Sequence, residues 1–534
     1  MSRAQPKASS TDRYARRIAL AIGKGRPPPF DDELDEYCSD FPDEIFAALA
    51  GVVRHMPPSG KDETLAIAYL FLLQRMLEHV RYRSDRGYGD AAKLIADFQA
   101  QLAAQAEAGQ ISAPLLALVG GALAQSNIPA SPELTAASMK NLSEHASAGP
   151  LPADAHIAVA GMLEACDDPF TLVTSLIETG HAMPAQMRGV LAGALAAVPQ
   201  GRAAAVLFLL DTQPEVRRTV AQALVEVAGS LGPIDLRRLI AMRNWRPESE
   251  RADVDAVIRT ARSAGIDCAQ WDRGGIESLF ASAIDGTAAQ GFLLISPAGQ
   301  KKRLSSILTK YGIADAWSGE PETRRRIEAT LTESGMSAPL LPVSKAYLDR
   351  AVAHHLALGT EKGEALPLGL LQVAETVGAA GWQPARIDVA ETIAALLAEL
   401  PKRMREPAQI ACVLRASHEL ADLEVLAESW FEDDPQIAQA VEHRTSRARL
   451  ADYLLQSVIA RRREKWADIF LRTALWMREA DAGSNLCWRE LVIVAKAVAN
   501  GRELSEIGLM RDIATRTIVH ARRDSTWPFS RSVA

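Results

Sequence analysis

Two stretches of this chain repeat one another. MRGVLAGAL (Met187 to Leu195) and VRRTVAQAL (Val216 to Leu224) match at an offset of 29 residues. Both read apolar–Arg–x–x–apolar–Ala–x–Ala–Leu, and Pro184 and Pro214 stand shortly before them. Weaker copies lie upstream, AGML ending at Leu163 and GGAL ending at Leu123, giving steps of 40, 32 and 29 residues between the leucines. Each copy is followed by a Pro, Asn or Gly break and then a second apolar-periodic segment, as in Phe170 to Ile177, Ala203 to Leu210 and Leu236 to Met242. Self-similarity at this period is the mark of an array. Alanine and glycine at a crossing let two helices approach closely, and one pair alone cannot bury its apolar face. The chain is therefore expected to stack helix pairs.

The stretch DTQPEVRRTVAQALVEVA, Asp211 to Ala228, resembles a HEAT repeat in its Pro, Val-Arg and Ala-x-Ala-Leu marks. The resemblance covers about 111–265. It implies a scaffold architecture more than an activity. It also implies that Arg217, and Arg188 one repeat earlier, are structural, each pairing with an acidic residue of a neighbouring repeat. Asp211 and Asp235 are the candidate partners for Arg217. Arg218, about 100° round the helix from Arg217, is expected to face solvent.

At 534 residues the chain exceeds one hydrophobic core. Aromatics are only 5%, which favours packed helices over sheets. The expected organisation is a flexible basic arm over 1–29 (Arg13, Arg16, Arg17, Lys24, Arg26) leading into a short helix, a helical segment over 30–110 and HEAT-like repeats over 111–265. A small module over 266–335 carries a β-hairpin, and a second helical array fills 336–534. In that module a short helix is expected near Ile276 to Ile284. GFLLISPAGQKKRLSSIL, Gly291 to Leu308, then reads as a hairpin, with Pro297 setting the turn and Gly299 supplying a left-handed residue. The fold class is mainly all-α, an α-solenoid with this insertion.

The motifs for chemistry fail one by one. A phosphate loop needs G-x-x-x-x-G-K-[ST], but Lys302 stands where the metal-binding hydroxyl belongs. GYGDAAK (Gly87 to Lys93) follows RYRSDR instead of an apolar strand. HELAD (His418 to Asp422) ends in Asp where a zinc helix needs His, and His354-His355 point about 100° apart. DDELDEYCSDFPDE (Asp31 to Glu44) holds eight acidic residues in fourteen but lacks a calcium loop's glycine and reads as a solvated helix start. The five cysteines share no CxxC spacing and read as reduced, buried thiols. No apolar run approaches the ~18 residues of a membrane span. No cofactor, metal or catalytic residue is expected.

A basic series remains: Arg218, Arg238, Arg243, Trp245 and Arg246, which could meet a partner or nucleic acid along one face. Against a net positive field, Asp211 to Arg262 holds nine basic and eight acidic residues. The function expected is a non-enzymatic scaffold in the cytoplasm that binds a protein partner along a helical surface. The alternative is nucleic-acid binding through that series, and a third is a helical hydrolase or glycosylase built on a buried carboxylate.

Overall fold

The computed structural model describes residues 10–24, 28, 31–56, 63–145, 159, 161–164, 166, 168–180, 185–271, 274–337, 339–379, 382–419, 426–443, 446–480 and 487–524. Pro184, residues 57–60 and the second half of HELAD fall outside them. The chain is mostly helical with one small antiparallel sheet, and divides into two compact units, the boundary falling between residues 191 and 192.

The first unit contains α1 (Ser10–Ile22), α2 (Asp32–Asp40), α3 (Ile45–His55), α4 (Glu63–Asp85), α5 (Gly89–Glu107), α6 (Ala113–Gln125) and α7 (Pro132–His145). Most of α8 (Pro169–Gly180) and the start of α9 (Ala185–Ala197) also belong to it. Helix α4 is the hub, touching α1, α2, α3, α5 and α6. Its Tyr69, Leu72, Leu73, Met76, Leu77 and Val80 recur at helical spacing and are all buried. Gly51 lets α3 lie against the Tyr69 ring, where a Cβ would collide. The expected flexible arm is corrected here for residues 10–22: Tyr14, Ala15 and Ile18 of α1 are buried in this core. The acidic run explains why. The Arg17 guanidinium donates to Asp31 at 2.7 Å and to Glu33 at 3.1 Å, and Asp31 also caps α2 through the Leu34 N–H.

The second unit begins with the rest of α9, then α10 (Arg202–Leu207), α11 (Pro214–Val227), α12 (Pro233–Asn244) and α13 (Glu248–Ser263). Pro214 and Pro233 sit at the first helical position, where a missing N–H is harmless. Leu195 and Leu224 are both fully buried, as is Leu123 in the first unit, while Leu163 is half-buried.

The sheet follows: β1 (Ser278–Ser282), β2 (Gln290–Ala298), β3 (Lys301–Thr309), β4 (Ile313–Ser318) and β5 (Leu340–Pro342), ordered β4-β3-β2-β1-β5 and antiparallel throughout. The hairpin is β2–β3, with Gly291 opposite Leu308 and a two-residue loop whose Gly299 has φ +63°. A glycine at that first loop position is what a type II′ turn requires. Pro297 does not set the turn. It lies inside β2 opposite Lys302, beyond the end of β1, where no ladder bond needs its missing N–H. The helix expected near Ile276 to Ile284 is strand β1, alternating half-buried and buried. The sheet also runs past residue 335, because β5 pairs with β1.

Beyond and around the sheet lie α14 (Arg324–Ser337), α15 (Lys345–Lys362), α16 (Leu368–Val377), α17 (Val389–Glu399), α18 (Pro407–Ala416), α19 (Pro435–His443), α20 (Arg447–Gln456), α21 (Val458–Arg461), α22 (Arg463–Ala480), α23 (Trp488–Ala499) and α24 (Gly508–Asp524). Two tryptophans of this region reach the sheet or the chain just after it, Trp476 of α22 bonding within β1 and Trp430, before α19, bonding two residues past its end. Trp430 Nε1 donates to the Ile284 carbonyl at 2.8 Å and Trp476 Nε1 to the Ala281 carbonyl at 3.1 Å. A buried indole N–H needs such an acceptor. Among the described residues no helix is long and apolar enough to cross a membrane.

Candidate functional site

The basic series near residue 217 is not a surface. Arg217 is 6% exposed; its Nε donates to Glu250 Oε2 at 2.9 Å, its Nη2 to Glu250 Oε1, and its Nη1 to the carbonyls of Asp211 and Thr212. The carboxylate on Arg217 is therefore that of Glu250, on α13. Asp211 offers its main chain, and the Asp235 carboxylate accepts from Gly232 N at 2.9 Å. Arg188 is equally buried, in α9.

Four of the five expected contact residues are corrected. Arg238 is buried, grips Glu375 with two hydrogen bonds of 2.9 Å and lies over the Phe170 ring. Trp245 is buried and its indole donates to the Trp382 carbonyl. Arg246 is buried and donates to the Leu209 carbonyl; burial first, then the nearby Arg217, lowers its pKa to about 10. Arg243 is half-buried and holds Asp255 bidentately at 2.7 and 3.1 Å. Each has an acceptor inside the fold, because a guanidinium or indole N–H left bare in the interior would be costly. Arg218 alone of the five is exposed.

Glu432, 1% exposed, is the kind of buried carboxylate a hydrolase would need. Trp466 Nε1 at 2.7 Å, Lys465 at 2.9 Å and Arg462 all donate to it, and it opens onto neither of the hollows below. Those donors make it a strut. Of the adjacent histidines, His354 accepts from Ile387 N, and His355 takes the Arg472 guanidinium on Nε2 at 3.3 Å, leaving its buried Nδ1 without a partner. Neither hydrogen-bonds to a carboxylate among the described residues. Among the described residues no three His, Cys, Asp or Glu side chains gather as metal ligands.

The open chemistry lies in the C-terminal helices. A hollow of about 400 Å³ is floored by Leu397, Met404, Ile410, Leu414, Ile493 and Ala497 and rimmed by Arg405, Lys496 and Arg502. A wider one of about 800 Å³ shares Arg502 and is lined by Arg415, His418, Ser505, Glu506, Arg511, Asp512 and Thr515. Local structure places these groups. Helix α23 ends with Gly501 at φ +79°, Gly501 N bonding Val498 O and Arg502 N bonding Ala497 O. This is the paired closure of a Schellman cap, which needs glycine there and sets Arg502 at the mouth. Buried Ser417 joins α18 to α24, its hydroxyl donating to Leu414 O at 2.8 Å and accepting from Leu509 N at 2.9 Å. Gly508 completes the joint: a Cβ there would come within 2.5 Å of the Arg415 carbonyl and His418 Nδ1. Arg415, His418 and Arg511 thereby reach one hollow.

Charge sets this cleft apart. Glu506 is held by Arg502 at 2.8 Å and Asp512 by Arg516 at 2.8 Å. Arg405, Arg415, Lys496 and Arg511 form no ion pair among the described residues. Arg405 and Lys496 border the aliphatic floor, and Arg415 and Arg511 line the wider hollow. The sequence reading missed them, although Lys402, Arg403, Arg405 and Arg415 against Glu406 alone were a local signal.

Residues 390–522 match the family model of the Y4lR C-terminal helical domain, and residues 184–265 match that of the Y4lR second domain. No curated protein and no solved structure matches the chain. The whole cleft lies inside the first matched segment, and the Arg217–Glu250 pair inside the second.

Proposed function

We propose that this chain is a non-enzymatic interaction protein of the cytoplasm whose C-terminal cleft holds an acidic, apolar-anchored segment of a protein partner. The observation that carries it is an aliphatic floor bordered by Arg405 and Lys496, neither of them in an ion pair among the described residues. An amphipathic helix laid in a groove offers this combination, apolar anchors on one stripe and carboxylates beside them. Flexible Met404 suits a surface that adapts to such anchors. The free thiols of all five cysteines support a reducing compartment. The nucleic-acid alternative is weaker on two counts. The series it relied on is largely interior, and no Phe, Tyr or Trp stands among the cleft's described lining to stack a base.

The test uses the full chain and a fluorescent helical peptide of alternating Leu and Glu faces. Controls exchange Glu for Lys, or Leu for Ser, and a single-stranded oligonucleotide serves as rival. The Leu/Glu peptide is expected to bind, more weakly as salt rises. Binding should fall about tenfold or more in Arg405→Glu/Lys496→Glu and in Ile410→Asp, since each 1.4 kcal/mol is tenfold. Equal binding of the Leu/Lys peptide, or tighter binding of the oligonucleotide, would overturn the proposal.

A further inference from the structure

We infer that the wider hollow receives a phosphoryl group carried on a side chain of the bound segment, so that the partner is recognised in its phosphorylated form. This rests on the cleft being the partner's seat. The two hollows differ in chemistry although they share Arg502. One has an aliphatic floor, which takes an anchor. The other is walled by Arg415, Arg511, Ser505 and Thr515, groups that donate hydrogen bonds.

Charge decides what the second hollow takes. Its carboxylates are engaged, Glu506 by Arg502 and Asp512 by Arg516. Arg415 and Arg511 are exposed and form no ion pair among the described residues, leaving two positive charges facing one space. A carboxylate would answer one of them. A phosphorylated serine or threonine carries about −1.5 to −2 with three acceptor oxygens, enough for both guanidinium groups and a hydroxyl donor. Arginine's planar fork is suited to that geometry. The exposure of both side chains means that they can be changed without opening the core.

The experiment measures binding of the Leu/Glu peptide to the full chain in three versions, with Ser, Glu or phosphoserine at one position near an end. Both ends are tried, and inorganic phosphate alone is a fourth probe. The phosphoserine peptide is expected to bind about tenfold more tightly than the Ser peptide, a gap of about 1.4 kcal/mol. Arg415→Gln/Arg511→Gln should abolish that advantage, read as the ratio of phosphoserine to Ser peptide affinity within the same variant. If the Ser peptide binds but phosphoserine adds nothing at either end, the inference fails and the cleft reading stands. An advantage that survives the double variant also overturns it, as does inorganic phosphate binding as tightly as the phosphopeptide. If no version binds, the cleft reading itself is wrong and takes the inference with it.

Discussion

Arg217 and Glu250, 33 residues apart, tie the first turn of α11 to the first turn of α13 through two parallel hydrogen bonds. Two further bonds from Arg217 close the carbonyls of Asp211 and Thr212, so one guanidinium finishes both a loop and a helix–helix joint. Removing it leaves two carbonyls without that donor and a partly buried carboxylate facing the more distant Arg246 at 3.9 Å. Arg217→Ala is expected to lower stability by about 1–3 kcal/mol. Arg218→Ala, one residue on and exposed, should stay within about 0.5 kcal/mol of the parent. Urea unfolding of both variants checks this, and equal losses would contradict it.

Leu195 and Leu224 occupy matching positions of the sequence repeat, and both are fully buried. Either one replaced by alanine should cost about 2–5 kcal/mol, the range for large-to-small changes in a core. A loss under about 0.5 kcal/mol at either site, typical of exposed positions, would break the equivalence. Thermal or denaturant melts measure it.

His355 makes stability depend on acid. Burial first, then the positive charges of Arg472, His354 and Lys362, pushes its pKa down to about 2. The unfolded chain binds a proton at this imidazole below about pH 6.5 that the native chain refuses, so stability falls as pH falls through the window from about 6.5 to 2. Burial lowers the pKa of His354 too, with the same sign. His355→Gln keeps an acceptor for Arg472 without the titration. Between pH 7.5 and 5.5 the parent should lose about 1.4 kcal/mol more than this variant. Urea melts at the two pH values read the difference, and parallel losses would exclude the linkage.

The thiols should sort by environment. Cys268 and Cys412 are exposed, Cys166 is half-buried, and Cys38 and Cys487 are buried. Burial pushes the Cys38 thiol up to about 12. A thiol reagent at neutral pH is expected to modify Cys268 and Cys412 rapidly and Cys38 only on unfolding, because the thiolate is the reacting species. Peptide mapping after brief labelling tests this; early modification of Cys38 would contradict it.

Local signals carried the helices and one hairpin; distant partners carried the rest. Gly299 after an apolar run marked β2–β3 because a two-residue loop with a left-handed glycine is written in adjacent residues. Strand β1 has five residues, and its state is decided by β2 and by β5, some sixty residues downstream. Arg238 and Trp245 looked like surface groups because charged and polar side chains usually are. Their acceptors, Glu375 and the Trp382 carbonyl, each stand 137 residues away. The cleft was hidden for a related reason. Arg405, Arg415, Lys496 and Arg511 are drawn from over a hundred residues of chain, and only the folded structure brings them to two hollows that share Arg502.

The indoles of Trp430 and Trp476 reach back 146 and 195 residues to carbonyls at Ile284 and Ala281. Both tryptophans lie in the segment similar to the Y4lR C-terminal helical domain, while the carbonyls they hold lie outside either matched segment. The portion of this chain that can be recognised by kinship is therefore smaller than the portion that must be inherited together. A recombination that moved residues 390–522 alone into another protein would carry off two donors and strand two acceptors, and the recipient would have to supply carbonyls of its own for them to grip.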